Sequence, residues 1–295
     1  MPVTVVIPTR NEERNLPACL SRLGAFAHVW IVDSGSSDAT CDIARERSIR
    51  VIDFRWAGGF PKKRNWTLMN EQFPTDWVLF LDADEHVTDT FVDEARTALA
   101  RPDMAGFWLN YTTHFMGEIL AHGVPQRKLA LFRVGAGLYE RIEDTGWSDL
   151  DMEVHEHPVL DGPVGEIRAP IDHLDFRGLD HFVARHESYA RWEASRYLEL
   201  AAGGDARWRG LTRRQKIKYA SLTRAWFAPA YFAMTYFLKR GFLDGTAGLH
   251  YAVFKMEYFR DIRRRILASR GAERNEQRSA GRLRPPSEPA RSGRG

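Results

Sequence analysis

The first hundred positions alternate short apolar runs with stretches in which apolar residues return every three or four places. Val3 to Ile7 is a run that stops at Pro8, and His28 to Val32, Arg50 to Phe54 and Trp77 to Leu81 are further runs of strand length. Between them, Asn11 to Leu23 sets Leu16, Leu20 and Leu23 at helical spacing. Asp38 to Arg47 opens on a residue suited to cap a helix, and Pro61 to Gln72 carries its proline in the first turn. Asp89 to Ala100 completes the series. Strands apolar on both faces, alternating with helices, predict a parallel sheet covered on both sides. Ligands of such sheets sit beyond the carboxyl ends of the strands. That rule selects Pro8 to Asn11, Asp33 to Ser36, and Asp82 to Asp84.

Further along the pattern changes. GFWLNYTTHF, LALFRV and GEIRAPI, between Gly106 and about Pro170, read as strands of a mixed sheet, and Leu179 to Leu200 reads as a helix. Ala225 to Leu238 is an apolar, aromatic run interrupted by Pro229 and bracketed by Arg224 and Lys239. It is shorter than the about 20 residues a spanning helix needs. Its Trp, Tyr and Phe with flanking cations suit a helix lying in a membrane interface, or one packed on the preceding domain.

The chain has 295 residues, 42 Lys and Arg against 39 Asp and Glu, and 44% hydrophobic residues, a mix that excludes wholesale disorder. The charge is uneven. From Arg263 to Gly295 there are ten Arg and three Glu, so the rest of the chain is mildly acidic. A basic tail favours anionic surfaces, but this one lacks the aromatics that stack on bases, so nucleic acid is not expected as a partner. Cys19 and Cys41 are the only cysteines, which suits a reducing compartment. MPVTVVIPTRNEE has no basic n-region and reads as a buried strand rather than a signal peptide.

Several chemistries are excluded by missing motifs. No G-x-G-x-x-G follows a strand, and there is no G-x-x-x-x-G-K-[ST], H-E-x-x-H or G-x-S-x-G. What is present is Asp82-Ala83-Asp84-Glu85 after a buried strand. Acids that close stay ionised only with a cation or donors among them, and a divalent ion bridging to a diphosphate supplies one. Asp33 to Asp38 combines an acceptor for a base or ribose with small residues that let a ligand approach. Lys62, Lys63 and Arg64 open a helix after the third strand and suit a diphosphate.

VVIPTRNEERNL, IVDSGSSDAT, KKRN and VLFLDADE, in this order and spacing, resemble family 2 glycosyltransferases of the GT-A fold. RKLALFR, VHEHP and HLDFRGLDHFVARHESYA look like the bacterial branch that builds lipopolysaccharide cores and surface polysaccharides, and KRGFLDGTAGLHYA is similar to membrane-associated members. The resemblance spans about residues 1 to 265. It implies an α/β GT-A (nucleotide-diphospho-sugar transferase) fold with a mainly parallel central sheet and C-terminal amphipathic helices. The expected division is a catalytic domain over 1–205 (donor half 1–110, acceptor half 111–205), membrane-associating helices over 206–270 and a disordered basic tail over 271–295.

The same resemblance implies an inverting, metal-assisted transfer of a hexose from a nucleotide-diphosphate sugar, a UDP-sugar foremost, to a lipid-anchored saccharide or lipopolysaccharide core. Such an enzyme would lie peripherally on the cytoplasmic face of the bacterial inner membrane. Pro8, Thr9, Arg10, Asn11 and Glu12 would line the nucleoside pocket. Asp33, Lys63, Arg64, Asp82 and Ala83 would contact base, ribose, diphosphate or sugar. Asp84 and His173 would hold Mg²⁺ or Mn²⁺. Glu156 would act as general base, oriented by His155, with Asp151 the alternative, and Arg127 and Arg133 would hold a phosphorylated acceptor. Many members carry paired acids after the second strand, whereas this chain has Ser34. Two other readings are a sugar nucleotidyltransferase, whose glycine-rich first loop is missing here, and a non-catalytic protein binding membrane or nucleic acid through its tail.

Overall fold

The computed structural model describes residues 1–142, 144, 146–148, 150–152 and 157–282. In chain order the elements are β1 (Val3–Thr9), α1 (Leu16–Ser21), β2 (His28–Asp33), α2 (Thr40–Glu46), β3 (Arg50–Asp53), α3 (Lys63–Asn70) and β4 (Trp77–Phe80). Then come β5 (Glu85–His86), α4 (Asp89–Leu99), β6 (Gly106–Phe115), β7 (Glu118–Leu120), β8 (Gln126–Arg133), β9 (Gly137–Tyr139), β10 (Pro158–Leu160) and β11 (Val164–His173). The C-terminal part holds α5 (Leu179–Ala202), α6 (Gly204–Arg209), α7 (Arg213–Ser221), α8 (Phe227–Ala233) and α9 (Gly245–Arg282).

Strands run in the order β3-β2-β1-β4-β8-β6-β11-β5, with β7 beside β6. The first four are mutually parallel, as their unbroken apolar runs require, while β8 joins β4 and β6 antiparallel and makes the sheet mixed. Val3, Val5 and Ile7 face one core layer with Leu16, Leu79 and Phe91, and Val6, Val78 and Phe132 face the other. This is the α/β architecture that the alternation of elements implies.

Helix ends differ from the sequence reading where side chains claim the backbone. The first helix is confined to Leu16–Ser21, because Asn11 takes a left-handed conformation (φ 57°) and its carboxamide accepts from Ser37 N at 2.8 Å. Pro61 lies in the loop ahead of α3 rather than in its first turn, since Lys62 is still extended. At α4, Thr88 caps by accepting from Phe91 N at 3.1 Å.

The aromatic run that ends at Leu238 is not one helix. After α8 the chain makes a π-helical turn over Met234–Leu238, passes through Arg240 in a left-handed conformation (φ 59°), and makes a 3₁₀ turn over Gly241–Asp244 before α9. A side chain at Gly248 would place its Cβ 2.1 Å from Gly241 O, so this hairpin closes only on glycine. Phe227 and Tyr231 turn inward onto Phe259, with ring centroids 5.1 and 4.6 Å apart. Trp226, Phe237 and Leu238 turn outward, with 59, 61 and 77% of their surfaces exposed. Ile262 and Ile266 of α9 pack with Ala190, Ala194 and Leu200 of α5, so residues 206–270 share a core with α5. Helix α9 continues to Arg282, past the boundary at 270 read from the sequence, and residues 283–295 of the expected tail lie outside the described residues. No helix of the described residues is long and apolar enough to cross a membrane.

Candidate active site

A cavity of about 530 Å³ opens beyond the carboxyl ends of β1 and β4, between the sheet and the helices α5 and α9. Of the residues selected from the sequence, it brings together Pro8, Glu12, Arg64, Asp82, Ala83, Asp84, Arg127 and His173. Asp84 is buried, and its Oδ2 lies 3.2 Å from His173 Nε2, 3.1 Å from an Arg185 guanidinium nitrogen and 3.6 Å from Arg177. The antiparallel pairing of β5 with β11 sets His173 opposite Glu85, which carries its imidazole to Asp84. Burial opposes ionisation of Asp84, but His173 and Arg185 overcome it and hold the carboxyl well below its usual range; Asp84 in turn raises His173 against its own burial.

Asp82 is held from two sides. Arg64 donates to its Oδ1 at 2.7 Å and Lys128 to its Oδ2 at 2.6 Å, and Lys128 also pairs with buried Glu85. Burial pushes the Glu85 carboxyl up against the pull of Lys128. Glu12 is raised to about 7 by burial, although Arg177 sits 2.5 Å away and Asn15 donates to it at 2.9 Å. Acids and cations therefore interleave tightly around the strand ends.

Other selected residues support this edge rather than line it. The Asp33 oxygens accept from Thr9 Oγ1 at 2.9 Å, Gly35 N at 2.9 Å, Ser36 N at 2.7 Å and the Ser36 hydroxyl, so Asp33 organises its own loop. Lys63 is buried; its Nζ donates to Thr9 O at 2.9 Å and faces Asp151 at 3.3 Å, which ties the end of β1 to the segment that carries Asp151. Arg10 lines a smaller adjoining hollow with Asp151, His181 and Arg185. Arg133 is at the wrong end of the sheet for an acceptor. It pairs with Trp77 at the amino end of β4, donates to Met104 O at 2.9 Å and stacks over the Trp77 ring at 4.4 Å. Arg127 does line the cavity, paired with Glu166 at 3.1 Å.

His155 and Glu156 lie outside the described residues. Met152 and His157, which bracket them, both line the cavity.

Four cations of the site were not singled out from the sequence: Lys128, Arg177, Arg185 and Lys255. Arg177, His181 and Arg185 recur every fourth residue from the mouth of α5 into its first turns, a stripe that the motif HLDFRGLDHFVARHE displays. Lys128 is flanked by Arg127, and nothing in the local pattern distinguishes the inward one.

Among the described residues, no three His, Cys, Asp or Glu side chains converge on a metal position. The carboxylate and imidazole of Asp84 and His173 converge on each other, and two protein donors fit an ion that takes its remaining ligands from phosphate oxygens and water.

Residues 4–146 match the family model Glycosyl transferase family 2. The chain is 28% identical over 209 residues to the lipopolysaccharide core biosynthesis glycosyltransferase LpsC of Rhizobium meliloti, covering 68% of this chain and 73% of that protein. It is 32% identical over 133 residues to a TPR repeat-containing protein of Synechococcus elongatus, covering 44% of this chain but only 31% of that longer one. Among solved structures, S. aureus TarS 1-349 in complex with UDP aligns over 92% of each chain at 15% identity and a TM-score of 0.43.

Proposed function

Because the chain belongs to glycosyl transferase family 2, we propose that it moves a hexose from a nucleotide-diphosphate sugar to a lipid-anchored saccharide or lipopolysaccharide core, with inversion at the anomeric carbon. The observation that carries this reading is the pairing of Asp84 with His173 at the carboxyl edge of the parallel strands, inside a cavity ringed by Arg64, Lys128, Arg177 and Arg185. Cations at that edge match the charge of a diphosphate. Asp84 and His173 would hold Mg²⁺ or Mn²⁺ together with the diphosphate; when bound, the ion offsets charge on the leaving group. Asp82, fixed by Arg64 and Lys128, would meet the ribose or the transferred sugar. Glu156 would take the proton of the acceptor hydroxyl, supported by its place in the chain between two cavity residues, Met152 and His157. Uridine is the base to test first.

The acceptor class is supported by the name of the Rhizobium meliloti relative. A peripheral position on the cytoplasmic face of the inner membrane is supported by the hairpin after α8, where exposed Phe237 and Leu238 adjoin exposed Lys239 and Arg240. The test is transfer of label from a panel of nucleotide-diphosphate hexoses to rough lipopolysaccharide by the full chain. One donor should label the lipid fraction in a metal-dependent way. Glu156→Gln should keep donor binding and lose transfer by about 10²-fold or more. Transfer unaffected by Glu156→Gln would move the base elsewhere.

A further inference from the structure

Among the described residues, six Lys and Arg side chains line the cavity: Arg64, Arg127, Lys128, Arg177, Arg185 and Lys255. The first five each pair with carboxylates: Asp82, Glu166, Asp82 with Glu85, Glu12 with Asp175, and Asp84. Lys255, on α9, is the exception; among the described residues no carboxylate forms an ion pair with it. Its neighbours are the Tyr251 and Tyr258 rings, with centroids 5.6 and 5.4 Å from Nζ, and His186 Nε2 at 3.4 Å. His186 Nδ1 lies 2.9 Å from Phe182 O, which only accepts, so Nδ1 carries the proton and Nε2 offers its lone pair to the lysine. An ammonium has three donors, and this contact uses one. Tyrosine faces attract a cation but do not cancel its charge. A charge removed from water without a counter-ion is costly, so a cation kept at the wall of an otherwise fully paired cavity points to a counter-charge brought by a ligand.

The position also says which ligand. The strand edge around Asp84 matches a diphosphate, whereas Lys255 belongs to the helical wall, beyond Arg185, which reaches Asp84 from that side. We propose that Lys255, with His186, Tyr251 and Tyr258, forms a subsite for an anionic oxygen group, carboxylate or phosphate, carried by the acceptor saccharide. The assignment of that group to the acceptor rests on the transferase reading above. The aromatic rings would cover an apolar sugar face, and the ammonium would give two hydrogen bonds to the anion, fixing the acceptor in one register relative to the strand edge.

The test uses the full chain saturated with UDP, so that cations at the strand edge are occupied. It is titrated by calorimetry with methyl glucuronide, glucose 6-phosphate and uncharged methyl glucoside. The anionic sugars should bind about tenfold tighter than the neutral one, the worth of a charge-assisted contact. Lys255→Met should remove that advantage, and Lys255→Arg should keep most of it. Preference for the glucuronide identifies a carboxylate-bearing acceptor; preference for the phosphate identifies a phosphorylated one. Equal binding of all three sugars, no binding of either anion by the wild type, or an anion advantage that survives Lys255→Met overturns the subsite. The UDP titration is read separately: no UDP binding beside a Lys255-dependent anion advantage counts against the transferase reading and leaves the subsite standing.

Discussion

Asp84 Oδ2 and His173 Nε2 stand 3.2 Å apart although 88 residues separate them in the chain's order, because β5 pairs antiparallel with β11 and sets His173 opposite Glu85. The same register lets Leu174 N donate to Asp84 O at 2.7 Å, which fixes the backbone beneath the pair. His173 ends β11 and Asp84 lies in the turn just before β5, so the pairing of these two strands holds both side chains in place.

Removing either partner affects both chemistry and folding. Asp84→Asn is expected to lower metal-dependent transfer by about 10²-fold or more, and to lower Tm as well, because it leaves the buried Arg185 and His173 without their counter-charge. His173→Ala should do the same more weakly. Transfer rate against Mn²⁺ concentration, alongside thermal melting, checks both.

Lys128 is expected to matter first for stability. It alone stands between Asp82 and buried Glu85, so Lys128→Met leaves two close carboxylates without their shared cation, at a cost of about 3 kcal/mol. Adding Glu85→Gln should recover part of that loss. Urea unfolding of the single and double variants measures it; additive effects would show that the two residues do not act together.

Much of this was legible in the chain. The apolar runs at Val3, His28, Arg50 and Trp77 identify the parallel strands, and the rule that ligands sit at strand ends identifies Asp82 and Asp84. Side-chain commitments were not legible. Asp33 reads as a ligand contact because it follows a strand, yet the N–H groups two and three residues on return to it. Lys63 and Arg64 are neighbours in one basic run, but the helical turn sends one to Thr9 O and the other to Asp82. Arg127 and Arg133 share a strand, but its length carries the second to the far edge of the sheet. Lys255 sits in a helix whose pattern spells packing, and only the tertiary structure shows that it faces the cavity.

Burial, with Arg185 adding to it, lowers Lys255 to about 8. His186, Tyr189, Tyr251 and Tyr258 also face this wall, and burial raises the three tyrosines, Tyr251 to about 12. Between pH 8 and about 10.5 the folded protein releases this proton while the unfolded chain keeps it, so stability rises with pH in that window. Melting temperatures of the wild type should therefore gain on those of Lys255→Met from pH 8 upward. At pH 7, without ligand, Lys255→Met should be the more stable protein. A wild type more stable than the variant at pH 7 would contradict the absence of a counter-ion.

The outward side chains of the hairpin after α8 are expected to make contact with lipid. Phe237→Asp with Leu238→Asp should reduce flotation with vesicles containing anionic lipid by about tenfold or more, at unchanged melting temperature, since both residues are exposed. Flotation unchanged in the double variant would assign membrane attachment, if any, to another surface.

The central claim is that the edge at Asp84 and His173 receives the diphosphate of a nucleotide sugar together with a divalent ion. Its most direct test is a thermal-shift titration of the full chain with a panel of nucleotide-diphosphate sugars, with and without Mn²⁺, repeated on Asp84→Asn. A rise in melting temperature with one sugar nucleotide that requires Mn²⁺ and vanishes in Asp84→Asn is the expected result. A panel that gives no shift, or a shift indifferent to both the ion and Asp84, would contradict the claim.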